Sequence, residues 1–229
     1  MISVIIPTYN EAISISKLVH ALQQHDRKVD VEILVSDGGS TDETLNIATA
    51  AGARSFLSPA KGRAVQMNFG AGKAKGEILY FIHADTLPPK TYVADIYQAI
   101  SRGCQAGRYR TRFDSPHLML KVNAFFTRFD WHICSGGDQT LFITKQLFKT
   151  IKGFDETMLI MEDYDIVTRT KKHTPYCVMN GYAVVSARKY ETNSWLKVQL
   201  ANKKIVNMYK KGASQKDMVA TYKQMLIYR

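Results

Sequence analysis

The apolar patterning of this 229-residue chain predicts an α/β fold, with a mostly parallel central sheet flanked by helices and a helical extension at the C-terminal end. Three observations predict it. Short, continuous apolar runs alternate with helical periodicity through the first hundred residues. Three of those runs, SVIIPTYNE, EILVSDGGSTD and EILYFIHAD, end in polar and mostly acidic groups. The last sixth of the chain is basic and amphipathic.

Taken in order, strand texture covers 2–7, 31–36, 53–57 and 77–82, and helical texture covers 11–24, 42–51, 63–74 and 91–101. Thr8 with Glu11, and Ser40 with Glu43, match the S/T-x-x-E capping box, so helices are expected immediately after the first two strands. GAGKAKG at 70–76 lacks the Walker spacing, and no GxGxxG follows the first strand, so neither common phosphate-loop fingerprint is present. From 105 the texture changes: QAGRYRTRF alternates like a more exposed strand, PHLMLKVNAFFTRFDWHI reads as an aromatic-rich helix, and GGDQTLFIT as a loop entering a strand. GFDETMLIMEDYDIVTRTKKH runs from a glycine turn into a helix with acids at its start and bases at its end, which suits the helix dipole. In SWLKVQLANKKIVNMYK, Trp195, Val198, Ala201, Ile205, Met208 and Tyr209 form one face and lysines the other, with Leu196 and Leu200 among the lysines.

Composition bounds the partners. The formal charge is +11, and from Glu191 onward eight bases stand against Glu191 and Asp217, so +6 of it lies there. Anionic partners are favoured. The basic tail can lie on an anionic membrane surface or pack on its own domain. Its lysines are not interleaved with stacking aromatics, so nucleic acid is not an expected partner. No run reaches the roughly 18 apolar residues of a spanning helix, and the chain starts at once with a strand, so a cytoplasmic protein is expected, at most associated peripherally with the membrane. Cys104, Cys134 and Cys177 are widely spaced and outside any metal spacing, and are read as reduced core thiols.

In open parallel sheets ligands gather beyond the carboxyl ends of the strands, so Asp37 and Asp85 are expected to share one crevice. Carboxylates there can accept hydrogen bonds from a nucleoside or hold a divalent cation against phosphates. Polar residues in such places also serve as turn and cap residues. A second acidic cluster, Glu162, Asp163 and Asp165, lies far down the chain.

The segments SVIIPTYNEA, ILVSDGGSTDET, KGRAVQMNFGAGKAKGEILYFIHADT and GFDE followed by MEDYDIVTR resemble, in order and spacing, the family 2 glycosyltransferases of GT-A fold. The resemblance spans roughly residues 1–190 and leaves 191–229 as a basic helical extension. HADT, GDQ at 137–139 and SARKYE at 186–191 resemble more narrowly a bacterial subgroup labelled arsenosugar-biosynthesis glycosyltransferases.

The resemblance implies an inverting transferase that moves a sugar from a nucleotide-sugar donor, a UDP-sugar above all, to a hydroxyl acceptor with help from Mn²⁺ or Mg²⁺. Pro7, Thr8, Tyr9 and Glu11 match the segment lining the nucleobase pocket. Asp37 matches the acceptor for the uracil imide, while Gly38 stands where the family has a second aspartate. Arg63 matches a basic residue near base and diphosphate. His83, Ala84 and Asp85 stand at the DxD motif, where Asp85 keeps the metal-binding role. His83 either contacts ribose or ligates the metal, which would favour Mn²⁺. Glu162 and Asp163 match the ED motif, with Asp163 as general base and Glu162 as an acceptor-side or supporting residue. Asp138 and Arg188 are candidates for acceptor and diphosphate contacts. The alternative is a non-catalytic nucleotide- or membrane-surface-binding module that keeps the GT-A-like fold.

Overall fold

The structure, a computed structural model, describes residues 1–25, 29–130 and 139–227. Its first half alternates as the patterning predicts: β1 (Ile2–Thr8), α1 (Ile15–Gln23), β2 (Val31–Asp37), α2 (Thr44–Ala50), β3 (Arg54–Leu57), α3 (Arg63–Lys73), β4 (Ile78–Phe81), β5 (Thr86–Leu87) and α4 (Tyr92–Ser101). The second half comprises β6 (Ala106–Phe113), α5 (Leu118–Phe126), β7 (Leu141–Thr144), α6 (Lys145–Thr150), α7 (Glu162–Thr170), β8 (Tyr176–Val185), α8 (Lys189–Thr192), α9 (Trp195–Lys210) and α10 (Gln215–Met225).

The strands form one sheet in the order β3-β2-β1-β4-β7-β6-β8-β5. β1 pairs in parallel with both β2 and β4, and β6 in parallel with β8, while β7 runs antiparallel between β4 and β6. β3 is parallel to β2, so six strands point the same way, and β1, β2, β3, β4, β6 and β8 all end at one edge. The chain leaves β1 toward β2 on one side and returns to β4 on the other, so the β1–β4 boundary is the topological switch point at which such sheets open a crevice.

Alternate side chains of the central strands feed two cores. Ile2, Val4 and Ile6 of β1 pack with Leu18 and Leu22 of α1 and Ile96 of α4 on one face. Ile5 packs with Met67 and Ala71 of α3 and Ile166 of α7 on the other. A Cβ on Gly70 would meet Ile5 at 2.6 Å, so glycine lets α3 lie tight on β1. GAGKAKG is thus the packed end of a helix rather than a phosphate loop.

Three expectations are corrected. Neither capping box forms: α1 starts at Ile15 behind Ser14, α2 at Thr44 behind Glu43, and neither N-cap residue makes a side-chain cap bond. The hydroxyls of Thr8 and Ser40 instead bond to Asp37, a competing local acceptor. β6 is not an exposed strand, because it lies between β7 and β8 and is buried from Ala106 through Tyr109. Its Arg108 is fully buried and donates to the carbonyls of Thr127 and Phe129 at 2.8 and 3.0 Å, satisfying carbonyls just beyond α5.

Third, Cys104 and Cys177 are joined in a disulfide, with Cα atoms 6.1 Å apart, within the range a disulfide spans. Parallel pairing of Ala106 with Tyr176 and Gly107 with Cys177 brings the residues before β6 beside the start of β8, proximity that spacing along the chain conceals. Cys134 lies outside the described residues. Of the two dispositions open to the tail, the stripe packs on its own chain: Val198, Ala201 and Ile205 build a third core with Met218, Tyr222 and Leu226 around α10, against which Ile160, Met161 and Tyr190 pack.

Candidate functional site

Two loops at the switch point are laced together. Gly38 N–H donates to the Thr8 carbonyl, Asn10 N–H to Ser40 Oγ, Glu11 N–H to Thr44 Oγ1 and Thr41 N–H to Asn10 Oδ1, at 2.8–2.9 Å. Asp37 sits at the centre with no exposed surface. Its carboxylate accepts from Thr8 Oγ1, Gly39 N–H, Ser40 N–H and Ser40 Oγ at 2.8, 2.9, 2.7 and 2.5 Å. An ionised carboxylate offers about four lone-pair positions, so these donors account for its accepting capacity. Pro7, Thr8 and Ala84 are buried as well, leaving Tyr9, Asn10 and Glu11 as the parts of PTYNE that reach the surface.

Past β3, the Lys61 ammonium stands 3.3 Å from the centroid of the Tyr9 ring, a cation–π contact that orients the phenol. The Arg63 guanidinium lies 3.5 Å from Glu162 Oε1. Gln66 is buried beneath, donating from Nε2 to the carbonyls of Thr8 and Ser36 at 2.7 and 2.8 Å. A Cβ at Gly38 would meet the Gln66 side chain at 3.0 Å, so this amide occupies the room a longer residue at 38 would need. Lys61 and Gln66 were not singled out from the sequence. Lys61 lies in the same KGR as Arg63, and that shared loop is the signal that could have found it. Gln66 carried none, since a polar residue on a helix looks solvated until its face is known.

The third strand end divides. His83 Nε2 lies 3.8 Å from Asp163 Oδ2, while Asp85 Oδ2 lies 3.1 Å from the Arg188 guanidinium. Arg188 also grips Glu11 with both terminal nitrogens, one at 2.9 Å from Oε2. β5 explains the meeting: Thr86–Leu87 pair antiparallel with Val184–Val185, and Ser186 N–H donates to the Asp85 carbonyl at 3.0 Å, so the residues after β8 lie over HAD. Glu162 and Asp163 arrive on α7, whose N-cap residue Met161 adopts a left-handed φ of 71°. Glu162 is buried, and Asp163 keeps 20% side-chain exposure. A small recess beside Asp163 is lined by Gln139, Leu141, Ile166 and Tyr176. Burial pushes the Tyr176 phenol above the usual tyrosine range, so it stays protonated beside the acid.

The structure therefore brings together Tyr9, Glu11, Arg63, His83, Asp85, Glu162, Asp163 and Arg188, with Asp37 as the buried organiser of the turn. Asp138 lies outside the described residues. Among the described residues no cluster of three or more His, Cys, Asp or Glu side chains is arranged to hold a metal ion. The guanidinium of Arg188 already lies between the carboxylates of Glu11 and Asp85. Carboxylate oxygens are the donor type a divalent cation takes, and Glu11 and Asp85 are the residues that would supply them at this edge.

A family model described as "Glycosyl transferase family 2" matches residues 3–159. The chain belongs to this family. It thus carries a glycosyltransferase domain, and its sheet has the GT-A architecture of solved relatives. A PGL/p-HBAD biosynthesis glycosyltransferase of Mycobacterium bovis is 28% identical over 192 residues, covering 74% of this chain and 69% of the relative. Staphylococcus aureus TarS 1-349, solved with UDP-GlcNAc, superposes with a TM-score of 0.67 at 21% identity over 82% of this chain, which spans only 58% of that TarS chain. Glucosyl-3-phosphoglycerate synthase of Mycobacterium tuberculosis, solved with Mn²⁺, UDP and glucosyl-3-phosphoglycerate, superposes at 0.65 with 18% identity, over 99% of this chain and 80% of its own.

Proposed function

We propose that this family 2 member is an inverting transferase that moves a sugar from a UDP-sugar to a hydroxyl acceptor, with Asp163 as general base. The observation that carries the reading is the convergence, at the switch-point edge, of Asp163 with His83 and of Asp85 with Arg188. That arrangement supplies a carboxylate for an acceptor proton beside a strand end suited to a diphosphate. The UDP donor is taken from the nucleotides held by the solved relatives of the same fold.

In this reading Tyr9, held by Lys61, borders the base pocket that Asp37 shapes indirectly through the Gly38–Ser40 turn. Arg63 and Arg188 face the diphosphate, whose two negative charges favour guanidinium forks. A divalent ion, when bound at Asp85 with Glu11 or His83 nearby, would neutralise the departing diphosphate. Asp163 removes the proton as the acceptor oxygen bonds to the anomeric carbon. The bond from that carbon to the diphosphate oxygen breaks from the opposite face, and its electron pair leaves with UDP. Glu162 keeps Arg63 in place.

Titration calorimetry with UDP, with and without Mn²⁺, tests the donor site. Asp163→Asn should lower transfer by about a hundredfold or more while leaving UDP affinity within about twofold. Equal loss of both would place Asp163 in the donor site, and absence of UDP binding by the unaltered chain would reject the reading.

A further inference from the structure

Of the two places open to the basic C-terminal helix, a membrane surface or its own domain, its apolar stripe takes the second. An apolar face of the opposite kind lies on α5. Leu118, Val122, Phe125 and Phe126 follow one another at helical spacing and are 70, 38, 48 and 41% exposed, and half-buried Phe129 extends the row. The face is held outward rather than left loose. Leu120 is buried beneath it, Arg108 fastens the carbonyls of Thr127 and Phe129, and Thr127 Oγ1 accepts from Thr111 N–H at 2.9 Å. A rigid, aromatic, exposed helix face of this kind marks an interaction site.

Charge selects the occupant. Between 115 and 129 the charged residues are Lys121 and Arg128, with no acid. The flanking acids are engaged, Asp114 accepting from Ala187 N–H and Asp130 paired with Lys171 at 2.6 Å. The Arg128 guanidinium lies 3.8 Å over the Phe125 ring, covering aromatic surface while keeping its charge at the rim. The segment leading into α5 meets α8 and the residues before it, through the Asp114–Ala187 bond and the Phe113–Tyr190 ring contact at 5.8 Å, and α9 follows α8 within a few residues. On α9, Leu196 and Leu200 are 59 and 53% exposed among Lys197, Lys203 and Lys204.

We propose that the outer face of α5, supported by the leucine–lysine strip of α9, docks the protein on an anionic lipid bilayer. Aromatic side chains enter the headgroup–acyl boundary while the bases meet anionic headgroups. β6 ends at the site edge and runs directly into α5, so docking sets the crevice close to the lipid surface. The inference stands apart from the donor chemistry, because no α5 side chain belongs to the crevice.

Flotation with vesicles of phosphatidylcholine alone and of phosphatidylcholine mixed with phosphatidylglycerol tests it. The full chain should float with the mixed vesicles, less with the neutral ones, and less as salt rises. Phe125→Asp combined with Phe126→Asp should weaken binding by about a hundredfold, on the scale of two exposed aromatics withdrawn from an apolar phase. Its UDP affinity should match the parent, and a cooperative melt should show that it is folded. Failure of the parent chain to bind mixed vesicles, or equal binding by the double variant, overturns the proposal. So does light scattering that shows a dimer dissolved by the double variant, since the face would then be a contact between copies of this chain.

Discussion

Arg188 is the residue on which the crevice's electrostatics turn. It joins a carboxylate from the end of β1 to one from the end of β4, two groups that would repel in its absence. Replacing it by alanine leaves Glu11 and Asp85 facing one another as a pair of oxygen donors. Arg188→Ala should therefore bind Mn²⁺ about tenfold more tightly, by paramagnetic resonance titration, and bind UDP about tenfold more weakly in the absence of metal. Unchanged affinity for both would assign Arg188 to the surface alone. Lysine should not restore the bridge, because one ammonium cannot reproduce a two-pronged grip on Glu11. Asp37 shows the complement: its place after a strand marks it as a site residue, while its role as hub of a turn depends on the donors that the fold gathers around it.

Among the elements, β2 shows how charge stabilises the edge of the sheet opposite the site. Glu32 accepts from Ser3 Oγ at 2.6 Å and pairs with Arg54 at 2.7 Å, and it also accepts from Lys75 N–H. Burial by itself pushes its carboxyl up. The Ser3 hydroxyl, the Lys75 N–H, Arg54 and the Gly76 N–H together outweigh burial and hold it below the usual glutamate range. A carboxyl depressed on folding adds stability above its unfolded pKa, about 4.3, and loses it as pH falls through the folded value. Glu32→Gln should thus melt lower than the parent at pH 7, and the gap should close as pH drops below about 4. A gap that persists at acid pH would mean packing rather than ionisation. The half of the sheet that β2 belongs to was legible because parallel, doubly covered strands read as unbroken apolar runs. β6 was legible as a strand but not as a central one, since its arginines suggest exposure: Arg108 turns its charge to buried carbonyls that only the tertiary fold supplies.

Across the whole molecule, the helices after residue 190 reach back to the site. Gln215, at the start of α10, accepts from the N–H groups of Leu159 and Ile160 at 3.0 and 3.1 Å, and those residues lead directly into Glu162 and Asp163. Gln215→Ala should lower turnover several-fold with donor affinity unchanged, because it loosens the approach to α7 without touching the nucleotide side. A parallel loss of UDP binding, read by calorimetry, would show general unfolding instead. The motifs that lie right after strands made part of the crevice readable. The joining of distant segments was hidden: Arg188 over Asp85, Gln215 beneath Leu159 and the Cys104–Cys177 bond all depend on sheet order, which no local pattern encodes.

The common direction of six strands also has a practical use. Met1 precedes β1 at the starting edge of the parallel strands, opposite the edge at which they end beside the crevice and β6 leads into α5. A sensor chip that captures the chain through that end would present the crevice and the aromatic helix outward together. Nucleotide and vesicle binding could then be read on one oriented layer, without the attachment competing for either surface.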